Sequence, residues 1–236
     1  MISPGLDPSR TAVLVIDMQN DFVTVGAPLE VPAARAAVPH IAAILEAARA
    51  AGALVVYSAH QRAPLGPAQI PTPNLRTPAL AADSTGLKIY PPIAPDDGDL
   101  IIVKHQFSAF FDTTLGDELT ARGVDTVLIT GATTENCCFS TARDAAFRGL
   151  RVLFIEDATG TFDYPDCGFG SIAAADVHRT LLAVLAYATC EIATTADAVA
   201  ALASDRDPEN NVSIADLSPS PRTDAHAHAP TQGDPS

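Results

Sequence analysis

Short apolar runs alternate along the chain with longer amphipathic segments. The runs have strand length and are close to continuously apolar, which is typical of strands buried on both faces of a parallel sheet. The predicted strands are residues 12–16, 54–58, 100–103, 126–130, 151–156 and 191–193.

The segments between these runs have helical spacing. In the first of them, Val38, Ile41, Ile44 and Leu45 recur at intervals that place them on one helix face, and Gly52 marks the end. The predicted helices are residues 33–51, 113–122, 137–148, 171–188 and 195–203. Alternating strands and helices predict an α/β fold, with three α/β/α layers around a mostly parallel six-stranded sheet.

The periodic pattern also divides the chain. Residues 1–203 are predicted to form one domain. Residues 204–236 lose the periodic pattern and are rich in Asp, Pro, Ser and His, so they are predicted to form a flexible acidic tail. Residues 61–99 are rich in Pro and Gly and are predicted as a long loop. Loops of this length inside a domain commonly cover a functional site.

Charge and hydropathy exclude some classes of partner. The formal net charge is −14, and such an acidic surface repels nucleic acid backbones and acidic lipid surfaces. No apolar run has the ~20 residues of a membrane span. The first ten residues lack the basic and apolar regions of a secretory signal. We therefore predict a cytoplasmic protein without nucleic acid or membrane partners.

Four cysteines, Cys137, Cys138, Cys167 and Cys190, are candidates for chemistry. Without a secretory signal a disulfide framework is not expected. Adjacent cysteines rarely bridge each other, and no C-x-x-C pair suggests a zinc ribbon. The cysteines are therefore predicted to be free thiols.

Three predicted strands lead into chemically useful residues at the carboxyl edge of the sheet. Asp17 follows the first strand, Lys104 follows the third, and Cys137 stands at the predicted start of a helix after the fourth. Ligands of open α/β sheets bind at this edge. A helix N-terminus and a nearby lysine favour thiolate, and a carboxylate can accept the thiol proton. The residues alone leave two alternatives open: Cys137 as a small buried apolar residue, and Asp17–Lys104 as a structural ion pair.

Three segments carry a family resemblance. They are residues 12–22 (AVLVIDMQNDF), 104–115 (KHQFSAFFDTTL) and 131–145 (GATTENCCFSTARDA). In order and spacing they resemble the signature blocks of the isochorismatase-like cysteine hydrolases, over about residues 10–200. The third block is the most specific, because the pattern G-x-x-T-x-x-C followed by T-A matches it. The Ser108-Ala109-Phe110-Phe111 run is similar to the branch of N-carbamoylsarcosine amidohydrolase and biuret hydrolase.

The resemblance implies a catalytic triad and an oxyanion hole. The triad would be Asp17, Lys104 and Cys137, and the oxyanion hole would be formed by the backbone N–H groups of Thr133 and Cys137. It also implies a cis peptide bond between Ala132 and Thr133. Cys138, one residue further along a helix, would point about 100° away and is interpreted as core packing.

Two departures from relatives narrow the predicted chemistry. Metal-dependent nicotinamidases carry an Asp-x-His arrangement after the second strand, whereas this chain has a lone His60 there, so no metal or other cofactor is predicted. In the N-carbamoylsarcosine branch an arginine that binds the substrate carboxylate follows the fifth strand, and Phe162 takes its place here. Aromatic residues are instead predicted to line an apolar substrate pocket: Phe22, Phe107, Phe111, Phe162 and Tyr164.

The resemblance thus predicts a metal-independent amidohydrolase acting on a linear amide or ureide through a thioester. Cys137 favours this over the vinyl-ether cleavage of isochorismatases, which need no nucleophilic cysteine. Two alternatives stay open: a catalytically silent family member that acts as a binding protein, and a thiol redox protein using Cys137 and Cys138. The family also implies a homodimer or homotetramer.

Overall fold

A six-stranded, all-parallel sheet forms the centre of the protein in the computed structural model, which describes residues 6–62 and 79–204. The strands are β1 (Thr11–Ile16), β2 (Leu54–His60), β3 (Leu100–Lys104), β4 (Thr126–Ala132), β5 (Arg151–Gly160) and β6 (Glu191–Ala193). Their order across the sheet is β3-β2-β1-β4-β5-β6. The predicted α/β class and parallel sheet are confirmed.

Helices cover both faces of the sheet. They are α1 (Asn20–Val23), α2 (Pro32–Ala51), α3 (Leu115–Ala121), α4 (Phe139–Phe147), α5 (Ala174–Ala188) and α6 (Thr195–Ala203). On β1, Val13 and Val15 face the apolar cluster that contains α2 and α6, whereas Leu14 and Ile16 face the cluster that contains α3, α4 and α5. Because every second side chain enters a different core, the strand needs apolar residues at all positions.

The strand order reverses beside β1. The chain builds β2 and β3 on one side of β1 and then crosses to β4 on the other side. This reversal leaves a crevice at the carboxyl ends of β1 and β4, which is where open α/β sheets bind ligands. Asp17 follows β1 directly, and the segment leading to Cys137 follows β4.

Several predicted boundaries differ from the structure by two to four residues, and two of these differences are close to the site. The helix expected from Cys137 begins at Phe139, because residues Thr134–Cys138 form one turn of π-helix before it. The fifth strand, expected to end at Glu156, continues to Gly160 after a register shift against β4. Polar residues in its middle concealed that continuation.

Parts of two other predictions lie outside the described residues. These are residues 63–78 of the predicted loop and residues 205–236 of the predicted tail, so the domain division stays a prediction. The described end of the loop contains a short 3-10 helix, Pro91–Ile93. None of the helices in the described ranges combines the length and apolar character that a bilayer crossing requires.

Candidate active site

Asp17 is held rigidly at the end of β1. Its φ of 49° lies in the left-handed region, which aspartate tolerates better than most residues. Its backbone N–H donates to the carbonyl of Ser58 at 3.2 Å, and Ser58 Oγ donates to Asp17 Oδ1 at 2.6 Å. The side chain is completely buried. One carboxylate oxygen is thus fixed by Ser58, and the other is left for the site.

Lys104 brings its ammonium group to the second carboxylate oxygen. Its Nζ lies 2.7 Å from Asp17 Oδ2 and donates to Cys137 Sγ at 3.3 Å and to the carbonyl of Gln106 at 2.9 Å. Burial lowers the pKa of Lys104, but the Asp17 carboxylate and the Cys137 sulfur outweigh burial and leave it raised. Lys104 therefore stays charged in a site that excludes water.

Cys137 contacts this ion pair from the π-helical turn. The residue is 6% exposed. Burial and the Asp17 carboxylate raise the pKa of its thiol, although Lys104 opposes them. The sequence indicated that a helix N-terminus and a lysine would favour thiolate, but burial outweighs the lysine and raises the pKa of the thiol. The thiol instead lies beside a carboxylate that can accept its proton.

His60 is not the isolated histidine that the sequence suggested. Parallel register pairs it with Lys104, so its Nδ1 lies 3.2 Å from Lys104 Nζ and 4.0 Å from Asp17 Oδ2. Asp17, His60 and Cys137 each offer a ligand atom, and these atoms lie within 4.8 Å of one another. Lys104 Nζ contacts all three residues. Burial and the Lys104 charge lower the pKa of His60 to about 4, so its ring is a neutral acceptor for the lysine.

The segment before Cys137 requires close backbone packing. At Gly131 φ is +109°, and a Cβ there would lie 2.1 Å from the carbonyl oxygen of Ile16. Only glycine lets the end of β4 approach the end of β1 this closely. The following peptide bond, Ala132–Thr133, is cis. Thr133, one of the two predicted oxyanion-hole residues, accepts through its carbonyl from the N–H of Cys138 at 3.1 Å.

Two predicted aromatic residues form one wall near this turn. The rings of Phe162 and Tyr164 stack with centroids 4.8 Å apart and an interplanar angle of 11°. Tyr164 OH donates to Glu135 Oε1 at 2.7 Å and lies 3.2 Å from Asn136 Nδ2. The wall is therefore joined to the turn that carries Cys137.

The other three predicted pocket residues are not part of the stacked Phe162–Tyr164 pair. Phe22 is partly buried and packs on the core beneath α2. Phe107 and Phe111 follow β3 and are 52% and 59% exposed. Their role in substrate binding stays a prediction.

Cys138 and His178 also have defined surroundings. Cys138 is completely buried in the core that contains α4, as predicted, with its Sγ 3.9 Å from the carbonyl of Thr130. His178, whose surroundings the sequence left undecided, lies with Nδ1 2.8 Å from Thr134 Oγ1. Neither residue contacts the Asp17–Lys104 pair in the described part of the chain.

Sequence reasoning missed Ser58, Glu135 and Asn136. Ser58 had a usable signal, because it interrupts an apolar strand and pairs in register with Ile16, the neighbour of Asp17. It occupies the place where the Asp-x-His arrangement would have its acid. Glu135 and Asn136 carried no comparable signal, because polar residues in a strand-to-helix turn are common.

The protein is a Rossmann-like α/β protein in which a buried thiol, a lysine and a carboxylate meet at the carboxyl edge of the sheet. Residues 11–197 match the family model described as the Isochorismatase domain. The chain belongs to the isochorismatase-like cysteine hydrolase family.

Individual relatives agree with this assignment. An N-carbamoylsarcosine amidase from Arthrobacter sp. is 34% identical over 158 residues, covering 64% of this chain and 60% of that protein. A cysteine hydrolase from Pseudomonas syringae pv. phaseolicola superposes with a TM-score of 0.77 at 35% identity, covering 86% of this chain and 98% of that one. An N-carbamoylsarcosine amidase from Thermoplasma acidophilum has a TM-score of 0.64 at 25% identity, with coverages of 79% and 96%.

Proposed function

We propose that the chain is a metal-independent cysteine amidohydrolase that cleaves a non-peptide C–N bond of a linear amide or ureide. The observation that carries the proposal is that Lys104 Nζ contacts both the Asp17 carboxylate, at 2.7 Å, and the Cys137 sulfur, at 3.3 Å. The amidase names of the Arthrobacter and Thermoplasma relatives support the bond type.

Activation begins from a neutral thiol beside an ion pair. Burial and the Asp17 carboxylate keep the pKa of Cys137 high, so free thiolate is scarce before substrate binds. Proton transfer from Cys137 Sγ to Asp17 produces a neutral acid and a thiolate that faces the Lys104 ammonium. The number of charges in the buried site stays the same, which avoids the cost of creating a new unpaired charge.

Acylation and hydrolysis then follow from this arrangement. The thiolate attacks the carbonyl carbon, and the backbone N–H groups of Thr133 and Cys137 stabilise the oxyanion. Asp17 returns the proton to the leaving nitrogen as the C–N bond breaks, which leaves a thioester on Cys137. Asp17, again a carboxylate, takes a proton from water, whose oxygen attacks the thioester. The acid product leaves, and the thiol is regenerated.

Ser58 and His60 act in this proposal as positioning residues. Ser58 Oγ fixes Asp17 Oδ1 at 2.6 Å, so only Oδ2 is directed towards lysine and thiol. His60 Nδ1 accepts from Lys104 Nζ, which restrains the long lysine side chain. Both contacts limit motion at the reacting atoms, where small misplacements are costly.

Ammonia release from a panel of linear amides and ureides tests the proposal. We expect activity that Cys137→Ser reduces at least about a thousandfold and Cys138→Ser changes less than about threefold. The adjacent cysteine is the matched control because it has the same chemistry and greater burial. Activity that survives Cys137→Ser but not Cys138→Ser would exclude the mechanism, and no release from the panel would favour the catalytically silent alternative.

A further inference from the structure

Glu135 places a second carboxylate in the turn that carries the proposed nucleophile. It stands two residues before Cys137 in the π-helical turn. Its Oε1 accepts from Tyr164 OH at 2.7 Å and from Asn136 Nδ2 at 2.9 Å. Its Oε2 is buried and has no hydrogen-bond partner among the described residues. Within the same residues, no lysine or arginine forms an ion pair with Glu135.

The Glu135 carboxylate affects the pKa values of neighbouring side chains. Burial first, and then the Glu135 carboxylate, raise the pKa of Tyr164. Glu135 also contributes, after burial, Cys137 and Asp17, to the raised pKa of Cys138. A carboxylate in such a poorly solvated position attracts cations and N–H donors and repels anions more strongly than one in water.

Hydrogen bonds connect Glu135 to the reacting end of the proposed site. Asn136 Nδ2 lies 2.9 Å from Glu135 Oε1 and 3.4 Å from Thr133 Oγ1. On the other side, Tyr164 joins Glu135 to the stacked ring of Phe162. Glu135 is therefore linked to the proposed oxyanion residue through Asn136 and to the aromatic wall through Tyr164.

We propose that Glu135 selects substrates by charge, so that the enzyme acts on neutral or cationic amides and ureides and disfavours those that carry a carboxylate. This inference rests on the proposed function in taking Cys137 as the nucleophile. A substrate ammonium or primary amide would supply the donors that the buried Oε2 lacks. Among the residues that the structure describes, no lysine or arginine pairs with Glu135 to offset its repulsion of a substrate carboxylate.

Three ureas of similar size separate the charge effect from shape. They are ureidoacetate (anionic), 2-hydroxyethylurea (neutral) and 2-aminoethylurea (cationic). We expect wild-type kcat/KM to be lowest for the anion, and Glu135→Gln to reduce the neutral-to-anion ratio by about tenfold. Glu46→Gln, at an exposed position of α2, is the matched control and should leave the ratio unchanged. A wild-type preference for the anion, or a ratio unaffected by Glu135→Gln, would overturn the inference.

Alkylation of Cys137 provides a readout that needs no substrate. Peptide mass spectrometry would follow its reaction with iodoacetate, which is anionic, and iodoacetamide, which is neutral, relative to glutathione. We expect the iodoacetamide-to-iodoacetate rate ratio to be about tenfold higher for Cys137 in the wild type than for glutathione. In Glu135→Gln the two ratios should be equal. Tyr164→Phe, which removes a hydrogen bond but keeps the Glu135 charge, should retain the difference.

The two readouts distinguish failure of this inference from failure of the proposed function. Turnover of the ureas with charge ratios independent of Glu135 overturns the inference alone. Charge-selective alkylation that depends on Glu135, without hydrolysis of any amide or ureide, supports the inference and overturns the amidohydrolase proposal. No hydrolysis and no alkylation of Cys137 overturn both.

Discussion

The Lys104 ammonium lies 2.7 Å from the Asp17 carboxylate, and neither side chain has measurable exposure to solvent. Two opposite charges removed from water stabilise each other only while both are present. Burial of the pair therefore costs free energy of folding, and removal of either charge would leave the other buried without a partner. The same ammonium group also contacts the Cys137 sulfur, so Lys104 both neutralises the Asp17 charge and contacts the proposed nucleophile.

Removing only one of these charges should be severely destabilising. Lys104→Met leaves Asp17 buried without its cation, and we expect the free energy of unfolding to fall by about 3–5 kcal/mol. Urea unfolding measures the change. The double variant Asp17→Asn/Lys104→Met removes both charges and should lose less than the two single variants combined. A loss below about 1 kcal/mol for Lys104→Met would contradict the buried pairing.

Ser58→Ala should reduce turnover with only a moderate loss of stability. The variant removes the 2.6 Å hydrogen bond to Asp17 Oδ1, and bonds to charged groups are worth about 1.5–3 kcal/mol. We expect kcat to fall about tenfold because the carboxylate is no longer fixed. Ser9→Ala removes a serine–aspartate bond of the same length on the surface and serves as the control. Equal kcat values for the two variants would exclude positioning by Ser58.

Gly131→Ala should be much more damaging than alanine at another glycine with positive φ. An added Cβ at Gly131 would lie 2.1 Å from the Ile16 carbonyl oxygen, whereas at Gly149, with φ +80°, it would meet no atom within 4 Å. We expect Gly149→Ala to cost about 1 kcal/mol from backbone conformation alone. Gly131→Ala should cost at least about 3 kcal/mol, since strand ends must separate. Thermal unfolding measures both losses. Equal losses of stability in Gly131→Ala and Gly149→Ala would contradict the close approach of Gly131 to Ile16.

The partly buried His60 should make the free energy of unfolding depend on pH. Burial and Lys104 lower its pKa to about 4 in the folded protein, against about 6.5 in an unfolded chain. Between these values the unfolded state binds the extra proton. The contribution of His60 is therefore complete above about pH 6.5, and up to roughly 3 kcal/mol is lost as the pH falls to about 4.

The variant His60→Gln isolates that contribution. It keeps an acceptor for Lys104 but cannot titrate, so its unfolding free energy should fall less steeply between pH 6.5 and pH 4 than that of the wild type. Chemical denaturation at several pH values measures both slopes. Identical slopes would show that His60 is not held neutral.

Apolar periodicity and strand ends predicted the sheet and the meeting of Asp17, Lys104 and Cys137, because parallel strands bring their carboxyl ends to one edge. Other features depended on tertiary context. The π-helical turn replaced the expected helix start, and burial outweighed the expected lowering of the Cys137 thiol pKa by Lys104. His60 looked isolated because only the β2–β3 register places it beside Lys104.

Identification of the residue that becomes acylated during turnover shows directly whether Cys137 is the nucleophile. A hydrolysed amide or ureide would be mixed with wild-type enzyme, quenched in acid and digested, and the cysteine peptides weighed. We expect a hydroxylamine-labile acyl group on Cys137 that is absent when the experiment is repeated with Cys137→Ser. An acyl group on Cys138 or Cys167, or turnover that persists in Cys137→Ser, would contradict it.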